Sequence, residues 1–208
     1  LSRHQNKPDL LLSFFTNLER LAASLMIRRA NINERIYRYT QLLKAIEANE
    51  DLSNSQSPLQ LTTSEIQEVI EILNGNLYQM TKIRLYVLTR LDVGLSDVEP
   101  NYDPAKVSIE HVLPQNPAEG SKWLKWFPTL EERQQYVHRL SNLVLLSRSK
   151  NSQAQNYDFD RKKEIYCNNK IANFALTIQA RNENEWTKDV IERRQKALVQ
   201  KLRGIWQL

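Results

Sequence analysis

Apolar residues recur at helical spacing along most of the chain and at strand spacing in only two short places. Pro8 suits a first helical turn, and Leu11, Phe14, Phe15, Leu18, Leu21 and Leu25 then mark one face of a long helix ending at Arg28-Arg29. Asn31 or Asn33 can cap a second helix, whose buried stripe is expected to be Ile36, Tyr39, Leu42, Leu43 and Ile46. Residues 49–61, NEDLSNSQSPLQL, lack any apolar period and predict a linker or exposed loop, the best place for a subdomain boundary. Thr62 and Glu65 form a capping box for a helix to Leu73, which Asn74-Gly75 stops. Leu77 to Leu91 predicts one further helix before the loop VGLSDVEPNYDP.

The two strand-like runs follow, Val107 to Leu113 and Leu143 to Leu146. Between them, Trp123, Trp126 and Phe127 are expected to pack over the hairpin rather than stack on bases. Thr129 and Glu132 make a second capping box, starting a helix through Tyr136 to Arg139. Asn156 to Tyr166 predicts a helix with a basic and an aromatic side. The last helix, Glu183 to Leu202, places Trp186, Val190, Ala197 and Leu198 on one stripe beside Arg193 and Arg194. The fold class is therefore mostly α with a small β-hairpin. Residues 1–100 read as a helical bundle or connector, and residues 101–208 as the hairpin with its C-terminal helices.

Composition narrows the class. Over 208 residues, 41% are hydrophobic and 25% charged, which fits a packed domain and excludes a disordered chain. No apolar run is read as approaching the roughly 18 residues of a spanning helix, so no membrane partner is expected. The lone Cys167 excludes an internal disulfide and a zinc ribbon, and a cytoplasmic protein is expected. With 29 Lys and Arg against 24 Asp and Glu, the net charge of +5 permits an anionic partner such as DNA.

Candidate chemistry gathers at the hairpin. Glu110 and His111 stand side by side on the first strand, Asn142 precedes the second, and Asn151 follows nine residues later. Phosphodiester hydrolysis needs a base for water, charge neutralisation on the phosphate, and help for the departing oxygen. A neutral imidazole suits the first task, which points to His111. A hard divalent cation on oxygen ligands suits the others, with Glu110 and Asn151 as donors. Mg²⁺ fits such a site, Mn²⁺ is expected to substitute, and zinc fits less well without thiolates. Asn142 is expected to bond near His111 and fix its orientation. Alternation on a regular strand sends Glu110 and His111 to opposite faces, so convergence needs a backbone curl or an ending, which Pro114 would favour. His4 and His138 read as surface residues. Arg148, Lys150, Arg161, Lys162 and Lys163 form a basic string beside the site, suited to phosphate contacts without base readout.

The runs Glu110-His111-Val112-Leu113-Pro114-Gln115, Leu140 to Leu146 and Lys150-Asn151 closely resemble the C-terminal HNH (ββα-metal) nuclease domain of GmrSD-type modification-dependent restriction enzymes. The HNH domain of RNA-guided CRISPR nucleases shows the same acid-His-x-x-Pro-Gln opening and the same separation of its two Asn. The resemblance continues through Phe159, Lys162, Tyr166, Trp186, Ile191 and Arg194, and the helices from Leu10 to Ile46 resemble the family's connecting segment. It implies an HNH core embedded in a helical domain, with His111 as general base, Glu110 and Asn151 as metal ligands, and Asn142 as the signature's first Asn. It further implies double-stranded DNA as substrate, an N-terminal NTPase-like sensor domain of the same protein as partner, and an antiphage role. Two cuts in a duplex would need a homo-oligomer or rebinding. Two departures stand out: Glu110 where many relatives carry Asp, and Ser149 where some carry a further Asp. Two other classes remain open, a DNA-binding module without cleavage and a regulatory helical module.

Overall fold

A computed structural model describes residues 6–97, 103–167 and 174–208, except for the side chains of Pro104 and Lys150. Among these, the order is α1 (Pro8–Ile27), α2 (Ile32–Glu47), α3 (Thr63–Asn74), α4 (Arg84–Leu95), β1 (Val107–His111), α5 (Lys122–Trp126), α6 (Leu130–Val137), β2 (Leu143–Ser147), α7 (Arg148–Ala154), α8 (Phe159–Cys167), α9 (Ala175–Arg181) and α10 (Lys188–Trp206). The mostly helical class with one small hairpin is what the sequence predicts. The chain forms two compact units, one of the described residues to Ile72 with Trp206–Leu208, the other of the described residues from Leu73 to Ile205.

In the first unit, Leu21, Leu25, Leu42 and Leu59 form a buried cluster, with Leu18, Tyr39 and Leu52 packed against it. Asn31 is the cap of α2, its side chain accepting from Glu34 N at 3.0 Å. The expected α2 stripe holds at Tyr39, Leu42 and Ile46, which pack into or against this cluster, whereas Ile36 and Leu43 are exposed and Ala45 is buried in addition. Residues 49–61 form an irregular, mostly exposed loop, as the sequence reading allows, but one tied to the core. Asp51 and Asn54 fold the segment into side-chain-capped turns, and Leu59 enters the core at 2% exposure. The predicted box is present, with Glu65 accepting from Thr62 N and Thr62 Oγ1 accepting from Glu65 N. Glu65 also pairs with Arg28 and Arg38, and these partners hold its carboxyl below the usual range against the opposing effect of burial. By length and composition alone, α1 is apolar enough to cross a membrane, contrary to the sequence reading. Its buried Leu21, Leu25 and Ile27, and Arg20 bonded to Gln60, mark an amphipathic core helix.

In the second unit, β1 and β2 pair antiparallel, from Val107 opposite Ser147 to His111 opposite Leu143. Val144 and Leu146 join Trp123, Phe127, Phe159 and Trp186 in the main core, so the tryptophans of the connection pack as expected. The second capping box starts α6. The single helix predicted over 77–91 is interrupted. A 3-10 turn covers Leu77–Gln79, and α4 begins only at Arg84. The Tyr78 N–H donates to the His138 carbonyl at 3.1 Å, a long-range bond that fixes the interruption. The helix α9 carries no strong period. It is held from α4, where the buried Asp92 accepts from Leu176 N at 2.8 Å and burial raises its carboxyl to about 6.

Candidate functional site

The hairpin delivers Glu110 and His111 at the C-terminal end of β1, and the strand stays regular there. The ladder runs through His111, and Val112 N continues it to Asn142 O at 3.0 Å. No curl precedes Pro114, so the two side chains leave on opposite faces. Glu110 meets α8, whereas His111 meets the turn before α4 and the end of α6.

On the α8 face, Glu110 is 6% exposed. Its Oε1 accepts from Lys162 Nζ at 2.6 Å and from the Tyr166 hydroxyl at 3.4 Å. Lys162 Nζ also donates to the His111 carbonyl at 2.6 Å. Burial pushes the Glu110 carboxyl up and the Lys162 ammonium down, and each charge resists the shift of the other. Burial, then the neighbouring Glu110, drives Tyr166 well above the phenol range. Lys162 is therefore no surface cation, and its expected phosphate contact is corrected. It shares the inward stripe of α8 with Phe159 and Tyr166, and its ammonium is engaged on Glu110. The spacing i, i+3, i+7 of those three residues was the available signal.

On the other face, His111 is 7% exposed, with Nε2 at 3.3 Å from His138 Nδ1. The Tyr78 ring meets His111 edge-on at 4.1 Å and stacks on His138 at 5.3 Å. Arg84 lies over Tyr78 at 4.2 Å and donates to its carbonyl at 2.8 Å. Burial first, then the charges of His138, Lys162 and Arg84, lowers the His111 imidazole to about 3, and burial also lowers His138. Both rings are thus neutral near pH 7. His138, expected at the surface, is a half-buried residue at the C-terminal cap of α6, and His4 lies outside the described residues. Nothing local in the sequence brings position 138 to position 111. The pairing arises from the thirty-residue connection folding back.

Asn142 is fully buried and uses its whole carboxamide. Its Oδ1 accepts from Leu113 N at 2.8 Å and Trp186 Nε1 at 2.9 Å, and its Nδ2 donates to the Leu113 and Val137 carbonyls at 3.0 and 2.9 Å. Two donors and two acceptor positions are all satisfied. Asn142 thus acts near His111 through backbone: it clamps Leu113, two residues beyond His111, to Val137, one residue before His138. Asn151, on α7, donates from Nδ2 to Ser108 Oγ at 3.1 Å and to the Ile109 carbonyl at 2.9 Å. A carbonyl can only accept, so the amide orientation is fixed and Oδ1 is not the atom on β1. Ser108 and Glu110 share a strand face, which sets Asn151 beside the Glu110 side of the hairpin.

Of the basic string, Arg148 and Arg161 are exposed, and Arg161 pairs with Glu164. Lys163 is half-buried, over the Phe159 ring at 5.0 Å and 3.7 Å from Asp160. The Lys150 side chain lies outside the described residues. Among the described residues, no three His, Cys, Asp or Glu side chains form a ready-made metal cluster.

A family model described as GmrSD restriction endonucleases, C-terminal domain, matches residues 23–201. No curated protein matches the chain.

Proposed function

The chain belongs to the GmrSD restriction endonuclease C-terminal domain family, and from that premise we propose that it is an HNH-type, divalent-metal-dependent endonuclease acting on double-stranded DNA in a modification-dependent antiphage system. The observation that carries this reading is the order β1, β2, α7, with Glu110-His111 on the first strand, Asn142 clamping the hairpin, and Asn151 laid against β1 from the following helix.

The donor set fits a hard cation. The bonds to Lys162 and Tyr166 both fall on Glu110 Oε1, and those of Asn151 both use Nδ2, so Glu110 Oε2 and Asn151 Oδ1 are the oxygens that would hold Mg²⁺ or Mn²⁺. When bound, the cation would neutralise phosphate charge and stabilise the departing 3′-oxygen. His111, neutral at physiological pH, takes the proton of the attacking water. Arg148, Arg161 and Lys163 supply phosphate contacts without base readout.

Carboxylate and imidazole lie on opposite faces of β1, and catalytic geometry often closes only with substrate. The sensing of modified DNA falls to an N-terminal NTPase-like domain of the same protein. Incubating supercoiled plasmid with the chain and Mg²⁺ should yield nicked or linear product, and EDTA should suppress it. DNA binding with no Mg²⁺-dependent cleavage would leave a binding or regulatory module instead.

A further inference from the structure

His138 contacts the centre of the site yet has no part in the signature that identifies it. The ring nitrogens of His111 and His138, 3.3 Å apart, share one proton between them. In water the Nε2–H form is the commoner tautomer of a neutral histidine. With both rings in that form, His111 Nε2–H donates and His138 Nδ1 accepts, so neither ring needs its rarer tautomer.

The surroundings keep this contact in register. Tyr78 N donates to the His138 carbonyl at 3.1 Å, and the Tyr78 ring packs on both imidazoles. Asn142 ties Val137 to Leu113, so the segments bearing the two histidines share one clamp. The capping box at Thr129 and Glu132 anchors the far end of α6. Such bracketing is more than a chance contact between two surface rings requires.

From this geometry we infer that His138 is a positioning residue for the reaction proposed above: by accepting the Nε2 proton of His111, it leaves Nδ1 as the basic nitrogen for the attacking water. The inference rests on the endonuclease reading for its consequence, and on the histidine pair alone for its structure. His138 stands at the C-terminal cap of α6, outside the hairpin and α7.

Side-chain shape supplies the test. An Asn carboxamide reaches the place of a histidine Nδ1, a Gln carboxamide reaches the place of Nε2, and Ala reaches neither. His138→Ala and His138→Gln should lower kcat for plasmid nicking about 10- to 100-fold at unchanged KM, the usual cost of losing a partner that orients a functional histidine. His138→Asn should recover most of that loss. Nitrogen NMR of the metal-free chain should show His111 protonated on Nε2 and bare on Nδ1, with mixed tautomers in His138→Ala. If His138→Ala does not fold, the comparison of Asn with Gln still decides. Wild-type turnover in His138→Ala, equal loss in Asn and Gln, or a wild-type His111 protonated on Nδ1 would overturn the inference. Absence of cleavage by the wild-type chain would instead refute the endonuclease reading, and the NMR result would still judge the pair.

Discussion

His111→Ala is expected to reduce Mg²⁺-dependent plasmid nicking by about 10²- to 10⁴-fold, the usual contribution of a positioned general base. The imidazole is neutral near pH 7 because burial and nearby positive charge disfavour its protonated form. It therefore has a lone pair to offer water without first losing a proton. DNA affinity should change little, because the exposed Arg148 and Arg161 remain, and the loss should fall on kcat. The missing ring leaves a gap against Tyr78 and His138, so a melting curve belongs beside the assay, run where the variant is still folded. Nicking within tenfold of wild type by a folded His111→Ala variant would remove His111 from the role of base.

Glu110 and Lys162 carry the second large effect, on stability rather than turnover. Glu110→Gln should leave a buried ammonium without its counter-charge, and Lys162→Met should leave a buried carboxylate in the same position. Each single change should cost about 3–5 kcal/mol in urea unfolding, the range for breaking a buried ion pair by removing one partner. The double variant should regain most of that loss, because no uncompensated charge stays in the interior. An exposed lysine would behave otherwise, with effects within about 0.5 kcal/mol. A near-neutral Lys162→Met would thus return Lys162 to the surface string from which burial removes it.

Those two sites show where sequence carries structural information and where it stops. The hairpin was legible because the short apolar runs Val107–Leu113 and Leu143–Leu146 are local properties of two segments, although β1 already ends at His111. Both capping boxes were legible because the spacing of Thr62 from Glu65, and of Thr129 from Glu132, is three residues and self-contained. The interruption before α4 was not, since it depends on Tyr78 N reaching the carbonyl of His138, sixty residues away. Helix phase explains two other differences. The stripe expected for α2 was right at Tyr39, Leu42 and Ile46 but one position too wide at Ile36 and Leu43, and tertiary packing sets where its edges fall. Lys162 was assigned by its charged head, although its place between Phe159 and Tyr166 already put its stem on the inward side. The candidate site was read as residue types in order. Which face each side chain takes, and that His138 belongs among them, follow only from the fold.

The most direct test of the account is the position of a divalent ion, read from anomalous diffraction of crystals grown with Mn²⁺ and a short DNA duplex. One ion per chain is expected, bound by the Glu110 carboxylate and Asn151 Oδ1, with phosphate and water oxygens in its remaining positions and His111 toward the attacking water. Mn²⁺ absent, or held away from Glu110 and Asn151, while DNA occupies the domain would contradict it.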